Sequence, residues 1–179
     1  FVYDAAGRQT AVVDAMGHRT TTVYDGLANI IAVRNPLGYR TTLAYDVAGR
    51  PTGLQDARGH WNTTDYYANG LVQTTTDPLD AATSYKYDPA GNLRERTDAR
   101  GRITTYTNDA LGRIASILYS DGSLVTFLYD AVGRQTTLID SAGITTTLYD
   151  VVGRLTTLVY ATGQQITYAY DAVGNRVSM

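Results

Sequence analysis

The sequence contains no cysteine, one glutamate (Glu95), one lysine (Lys86) and four prolines. The absence of cysteine excludes disulfide and thiolate chemistry and leaves the redox compartment open. No apolar run approaches the about 18 residues of a membrane-spanning helix. The net charge is -2, and arginine alternates with aspartate along the chain rather than gathering into a cationic stripe. We therefore expect neither a nucleic-acid partner nor a membrane span.

Residues that could carry catalysis or bind a metal are also scarce. His18 and His60 both follow a glycine in similar turns, and no cysteine is present to complete a zinc site with them. No serine lies in a nucleophile-elbow motif. Paired carboxylates such as Asp77 and Asp80 lie in a turn, and the period near nine of calcium-binding β-roll repeats is absent. The sequence predicts a protein that is not an enzyme and has no catalytic, cofactor-binding or metal site.

What the sequence has in abundance is one short motif, Tyr-Asp-x-x-Gly followed by Arg or Asn. Its copies recur at a step of about 21 residues, a period typical of repeat proteins. The complete copies are formed by Tyr3, Asp4, Gly7 and Arg8; Tyr45, Asp46, Gly49 and Arg50; Tyr87, Asp88, Gly91 and Asn92; Tyr129, Asp130, Gly133 and Arg134; Tyr149, Asp150, Gly153 and Arg154; and Tyr170, Asp171, Gly174 and Asn175.

Degenerate copies fill the remaining places, and one interval is a residue short. Tyr24-Asp25 has Ala28 in the glycine position, Tyr66-Tyr67 lacks the aspartate, and Asn108-Asp109 lacks the tyrosine. A second turn signal, such as Asp14 followed by Gly17, lies about 11 residues after each tyrosine. Asp or Asn accepts a hydrogen bond from the backbone two residues on, and glycine enters positive φ without steric cost.

The segments between turns are rich in Thr, Val, Ile, Leu and Tyr and have the length of an ordinary strand of about five or six residues. Turns of three to five residues that contain glycine are typical of β-hairpins. No window keeps helical spacing of apolar residues before a glycine or proline interrupts it. The sequence therefore predicts an all-β fold of eight consecutive antiparallel hairpins.

The repeats also predict two different faces. Because side chains alternate along a strand, neighbouring positions form separate columns. One is a hydroxyl column formed by Thr21, Thr42, Thr63, Ser84, Thr105, Thr126, Thr146 and Thr167. The next column shares its face with the motif tyrosines and contains Thr22, Leu43, Thr64, Tyr85, Tyr106, Phe127, Thr147 and Tyr168. We expect these columns to pack as ladders.

We expect the residues of a binding site to lie where the sequence departs from the repeat consensus, because residues that match it serve the packing of the repeat itself. The fourth copy departs most from the consensus, and it contains Trp61, which is the single tryptophan, together with Tyr66 and Tyr67. An exposed group of these rings would be a candidate ligand platform, with a glycan as its partner. Sequence drift in a repeat that tolerates substitutions explains the same residues equally well.

The motif resembles that of the YD-repeat (RHS-repeat) family, found in bacterial polymorphic toxins, Tc-toxin subunits and teneurins. The resemblance extends from Tyr3 to Arg176. It implies a continuous curved or spiralling sheet, a section of a hollow shell that encloses a C-terminal effector in the toxin members. Complete bacterial members carry a self-cleaving aspartate in a region after the repeats. No segment here is similar to that region, so the resemblance assigns no catalytic residue.

Residues 1–179 are thus expected to be a single array of about eight YD repeats, a fragment of a longer protein. Its expected partners are the flanking repeats and the C-terminal effector of a secreted or surface-exposed bacterial parent. Open sheet edges would also favour self-association of an isolated fragment. The alternative interpretation is a cell-surface adhesion or carbohydrate-binding surface that uses exposed tyrosines.

Overall fold

The computed structural model describes residues 1–178, which form strands and turns and contain no helix. No helix in that range could therefore cross a membrane. The strands are β1 (Val2–Tyr3), β2 (Gln9–Val13), β3 (Arg19–Tyr24), β4 (Ile30–Arg34), β5 (Arg40–Tyr45), β6 (Pro51–Gln55), β7 (Trp61–Tyr66), β8 (Val72–Thr76), β9 (Ala82–Tyr87), β10 (Leu93–Thr97), β11 (Ile103–Asn108), β12 (Ile114–Leu118), β13 (Leu124–Tyr129), β14 (Gln135–Asp140), β15 (Gly143–Tyr149), β16 (Leu155–Val159), β17 (Gln165–Thr167), β18 (Ala169–Tyr170) and β19 (Arg176–Ser178).

The strands pair in chain order, so the prediction of consecutive antiparallel hairpins is confirmed. Strands β1 to β17 belong to one sheet, and β18 and β19 form a separate hairpin. The backbone N–H of Tyr168, between β17 and β18, still donates to the carbonyl of Thr156 on β16. The chain divides into two compact units, Phe1–Ser84 and Tyr85–Met179. Each unit repeats the same hairpin geometry.

The registers place the hydroxyl column on one face of each unit, which we call the threonine face. In the first unit Thr21 lies opposite Ala11, and Thr42 lies opposite Ala32. In the second unit Thr126 lies opposite Ser116. Small residues therefore face the hydroxyl column from the neighbouring strand. The motif tyrosines project from the other face, because side chains alternate along each strand.

Few side chains among residues 1–178 are fully buried. Among the hydrophobic residues described, only Ala11 and Ala32 are buried, at 1% and 2% exposure. Aliphatic side chains on the threonine face, such as Leu124 and Leu128, remain about half exposed. Hydrophobic stabilisation scales with the apolar area removed from water. The turns and the contacts between hairpins must therefore contribute an unusually large part of the stability.

The two turns of each repeat share one backbone geometry. In the first motif turn the N–H of Asp4 donates to the carbonyl of Arg8 at 3.0 Å, and the N–H of Gly7 donates to the carbonyl of Asp4 at 3.0 Å. The turn between β2 and β3 repeats this pattern from Asp14 to His18. Gly7 has a φ of 77°, in the left-handed region. Glycine occupies this position because a Cβ there is strained.

Two turns place a residue with a Cβ in the left-handed position, namely Ala28 with a φ of 67° and Asp80 with a φ of 61°. The shortened repeat forms its turn with a different backbone geometry. Asp140 pairs directly with Gly143, so the turn between β14 and β15 contains one residue fewer than its equivalents, and Gly143 has a φ of 121°. The single-residue deletion is thereby located in this turn.

The left-handed turn position predicts opposite effects for two substitutions. Gly49→Ala should destabilise the protein by about 1–2 kcal/mol, because a Cβ at Gly49 meets no atom within 4 Å and only the backbone conformation is penalised. Ala28→Gly should stabilise it by about 0.5–1 kcal/mol by relieving the same strain. Urea unfolding of both variants measures these changes. Ala48→Gly, which precedes the left-handed position, is the control and should destabilise. A gain from Ala48→Gly equal to that from Ala28→Gly would contradict the argument.

Candidate functional site: the turns and joints of the repeat

The aspartate of each complete motif organises its own turn. In the turn of Asp46, Oδ1 accepts the backbone N–H groups of Ala48 and Arg50, both at 2.9 Å. Oδ2 accepts Nε of Arg50 at 2.6 Å, so the ion pair expected across the turn is present. One carboxylate thus fixes the third and fifth residues of the turn.

These hydrogen bonds alter the acidity of the turn carboxylates. The backbone N–H of Arg50, followed by its side chain, lowers the pKa of Asp46 below the ordinary value of 3.8. The effect is larger at Asp98, where the Arg102 side chain and backbone N–H lower the pKa to about 2. A carboxylate that accepts several N–H groups favours its charged form. The turns are therefore built around ionised aspartates.

The arginine of the motif also reaches the next repeat and forms a joint between hairpins. The guanidinium of Arg50 lies 4.7 Å from the centre of the Tyr66 ring, within the range of a cation–π contact. Its Nη1 donates to the carbonyl of Tyr67 at 3.1 Å. In return, the Tyr66 hydroxyl donates to the carbonyl of Pro51 at 2.8 Å. The motif residues of one repeat therefore hold the first strand of the following repeat.

This joint recurs in both units. Arg8 lies over Tyr24 in the first unit. In the second unit Arg113, Arg134 and Arg154 lie over Tyr129, Tyr149 and Tyr170, at 4.4, 4.7 and 4.6 Å. The ring hydroxyls of these three tyrosines donate to the carbonyls of Ile114, Gln135 and Leu155.

Copies with asparagine in place of arginine keep the turn without the cation–π contact. Asn29 donates Nδ2 to Asp25 Oδ2 at 2.9 Å, which preserves the bond across the turn. Its amide is too short to cover Tyr45, whose hydroxyl still donates to the carbonyl of Ile30. The degenerate copy at Asn108 keeps the other half of the joint, because Nδ2 of Asn108 donates to the carbonyl of Leu93 at 3.1 Å.

The turns at the other ends of the strands contain the two histidines. His18 Nδ1 lies 2.9 Å from Asp14 Oδ2, and His60 Nδ1 lies 3.4 Å from Asp56 Oδ2. Each histidine therefore occupies the position that arginine has in the motif turn. Within residues 1–178, no group of three or more His, Asp or Glu side chains is arranged to hold a metal ion.

The candidate ligand platform of the fourth copy is distributed over two faces. Trp61 and Tyr66 project from opposite sides of β7, since they are five positions apart along the strand. Trp61 is 36% exposed and its ring lies directly over Gly53, where a Cβ would come within 2.7 Å of it. Tyr66 belongs to the joint described above, and Tyr67 stands in the turn with its N–H donating to Leu71. The structure does not bring the three rings together.

The joint is the feature that sequence reasoning did not find. Its participants are 14 to 17 residues apart along the chain, from the bond of Tyr149 to the carbonyl of Gln135 to the bond of Arg8 to the carbonyl of Asp25. The signal was present in the spacing, since an arginine at the end of one motif recurs with a tyrosine at the start of the next. Strand pairing is needed to show that these positions meet.

Comparison with known proteins identifies a family and several similar structures. The model of the RHS repeat family matches residues 24–60, 66–103, 87–124, 109–146 and 149–179. No curated protein matches the sequence. A structure of the Photorhabdus luminescens Tc holotoxin pore is similar over 84% of this chain and 9% of its own, with 20% identity and a TM-score of 0.68.

Structures of TcdB2–TccC3 give similar results. TcdB2–TccC3 without its hypervariable C-terminal region has a TM-score of 0.58 and 17% identity over 96% of this chain and 12% of the other. TcdB2–TccC3–Cdc42 has a TM-score of 0.57 and 15% identity, with the same shares covered. At sequence identities of 15% to 20%, this structural similarity establishes the fold alone. This chain spans about a tenth of the length of the structures that it matches.

The joint predicts that an arginine can be added where the repeat lacks one. Asn29→Arg should place a guanidinium over Tyr45 and stabilise the protein by about 0.5–1 kcal/mol, the range of an exposed cation–π contact. Urea unfolding measures the gain. The control is the same substitution in a Tyr45→Leu background, where the gain should disappear. An equal gain in both backgrounds would show that the tyrosine ring is not involved.

The turn carboxylates predict acid sensitivity. Because the folded pKa of Asp98, about 2, lies below its ordinary value of 3.8, the unfolded chain binds the proton first as pH falls. The stability from this group is complete above about pH 4 and is lost toward pH 2. Asp98→Asn should weaken that dependence and keep the turn, since Asn35 Oδ1 already accepts the N–H groups of Leu37 and Tyr39. Unfolding midpoints measured from pH 6 to pH 2 test this, and parallel pH profiles would refute it.

Proposed function

Because this chain belongs to the RHS repeat family, we propose that it is a section of a wall that encloses a C-terminal effector in a longer protein. Its repeats form a structural module, and we assign them no catalytic step. The observation that carries the proposal is the joint, because the arginine of each complete Tyr-Asp-x-x-Gly-Arg motif lies over a tyrosine of the next repeat and holds it. Such side chains maintain a continuous sheet, which is the role that we assign to the motif.

The relatives support an enclosing role. One matched structure is of TcdB2–TccC3 without its hypervariable C-terminal region, and another is of TcdB2–TccC3–Cdc42. A hypervariable C-terminal region implies a constant part beside it. We assign this chain to the constant part and place its parent, like a toxin component, outside the cell or at its surface. Residues 1–179 act as one array in this proposal, with flanking repeats as its neighbours.

The adhesive alternative requires tyrosine rings that are free to bind a glycan. The motif tyrosines that take part in joints have a guanidinium over one ring face and a hydroxyl bonded to a backbone carbonyl. A sugar that stacked on the covered face of such a ring would displace the arginine. Its binding free energy would have to offset the loss of the cation–π contact. Because these tyrosines are already engaged in joints, the structure favours a wall over an adhesive surface. Saturable binding on a glycan array that depends on Tyr149 would instead favour the adhesive surface.

The threonine face is the surface that we propose turns toward the enclosed segment. Its hydroxyl column interrupts the aliphatic side chains on the same face, including Leu128 and Leu148, which are 50% and 49% exposed. Extended apolar patches bind other apolar surfaces. Hydroxyl groups between them would limit adhesion of an unfolded passenger, so that the passenger can leave.

Filling the hydroxyl column with leucine tests this orientation. The change is Thr21→Leu, Thr63→Leu, Thr105→Leu and Thr146→Leu in the complete parent protein. We expect slower release of the effector, because a continuous apolar face would retain it. Release is measured as the fraction of effector freed with time after the wall is opened.

The matched control places leucine on the opposite face, through Thr20→Leu, Thr41→Leu, Thr83→Leu and Thr104→Leu. These variants should release the effector at the normal rate. Slow release from the control set alone would place the effector against the tyrosine side. Normal release from both sets would remove the threonine face from the mechanism.

A further inference from the structure

The turn between β7 and β8 is closed differently from the complete motif turns. Tyr67 occupies the aspartate position there, so the carboxylate that bonds the last residue of the other motif turns is missing. Asn69 replaces that contact, because its Oδ1 accepts the backbone N–H of Leu71 at 3.2 Å. The side chain of Asn69 is therefore folded back over the peptide bond that follows it.

The residue after this asparagine is Gly70, and the chain has a single Asn-Gly sequence among its seven asparagines. Glycine has no Cβ to obstruct the approach of its own backbone nitrogen to the asparagine side chain, and Gly70 has a φ of 88°. Both residues are exposed, so water reaches them. These are the conditions under which an asparagine side chain reacts with the peptide bond that follows it.

We propose that Asn69 is a site of spontaneous deamidation. The backbone nitrogen of Gly70 attacks Cγ of Asn69, so that a new N–Cγ bond forms and the Cγ–Nδ2 bond breaks. Nδ2 leaves as ammonia with the proton of the Gly70 N–H, and the product is a five-membered succinimide ring. Water then opens the ring at one of its two carbonyls, which gives aspartate or isoaspartate at position 69.

The turn geometry both favours and restrains the attack. The Leu71 N–H donates to Oδ1 of Asn69, the oxygen on which negative charge develops, and so stabilises the tetrahedral intermediate. The Gly70 N–H donates to the carbonyl of Tyr67 at 2.9 Å and must leave it before the nitrogen can react. The reaction therefore requires this one turn bond to open, while β7 and β8 remain paired.

The chain already contains a turn that matches the aspartate product. Asp121 precedes Gly122 in the turn between β12 and β13, and its Oδ1 accepts the backbone N–H of Ser123 at 2.9 Å. Tyr119 begins that turn in the position that Tyr67 has in the first unit. Conversion of Asn69 to aspartate should thus preserve the turn.

Isoaspartate should have the opposite effect, because it adds a methylene group to the main chain. The turn is closed by the bond from the Tyr67 N–H to the carbonyl of Leu71 at 2.9 Å, and a longer chain disturbs this geometry. The Tyr67 carbonyl also accepts Nη1 of Arg50 in the joint. Isoaspartate at position 69 therefore weakens the turn and the joint beside it, so part of the protein becomes less stable with time.

Incubation of the purified chain at mildly alkaline pH, well below its unfolding temperature, tests the proposal. Peptide mapping by mass spectrometry should show conversion of Asn69 at least tenfold faster than conversion of Asn62, which is also exposed in the first unit. Labelling with an isoaspartyl methyltransferase should identify isoaspartate at the same position. Urea unfolding of the separated products should give an isoaspartate form that is less stable than the starting protein and an aspartate form that is equal to it.

Two variants serve as matched controls. Asn69→Thr removes the amide and should abolish the conversion while keeping the turn, because Thr162 Oγ1 accepts the N–H of Gln164 at 3.4 Å in an equivalent turn. Asp121→Asn places an amide before Gly122 and should create a second site of rapid conversion. Thermal unfolding of both variants verifies the fold independently of the reaction.

Conversion of Asn69 no faster than that of Asn62, or an unreactive amide in Asp121→Asn, would overturn the proposal. An isoaspartate form as stable as the starting protein would overturn the effect assigned to the modification. Neither result bears on the wall function, because both variants leave the arginine and tyrosine of every joint in place.

Discussion

The structure depends on contacts between successive hairpins, because the sheet has almost no buried core. A pair of buried alanines, Ala11 and Ala32, cannot supply the hydrophobic stabilisation of an ordinary domain. The chain instead repeats a small polar joint in which arginine covers a tyrosine and the tyrosine hydroxyl bonds a carbonyl. Each joint is weak by itself. In a repeat array, however, nearest-neighbour terms add along the chain, so weak joints can support a long structure.

The same joint explains the unusual choice of charged residues. Aspartate can bond its own backbone two and four residues on, as Asp46 does, whereas glutamate has one methylene more between the carboxylate and the backbone. Arginine offers Nε to the aspartate of its own turn and Nη1 to the next repeat, which lysine cannot do with one ammonium group. Turn and joint geometry therefore accounts for the choice of aspartate and arginine at the motif positions.

The sequence predicted the features that depend on local chemistry. The spacing of Asp and Gly located the turns, and even the missing residue was detectable as a short interval before Tyr149. The all-β fold followed from the segments between the turns. Contacts between repeats were harder to predict, because the bond from Arg8 to the carbonyl of Asp25 depends on the stagger of neighbouring strands. The grouping of Trp61 with Tyr66 relied on nearness in sequence, although alternation directs the two side chains to opposite faces.

Substitutions in the motif show that its two roles, closing its own turn and contacting the next repeat, are independent of each other. Asn29 keeps the bond within its turn and lacks the guanidinium over the next ring, so the turn can persist when the cation–π contact is absent. Asn108 shows the converse, since its amide replaces a tyrosine hydroxyl as donor to a backbone carbonyl. These two changes are tolerated because a hydrogen-bonding equivalent remains.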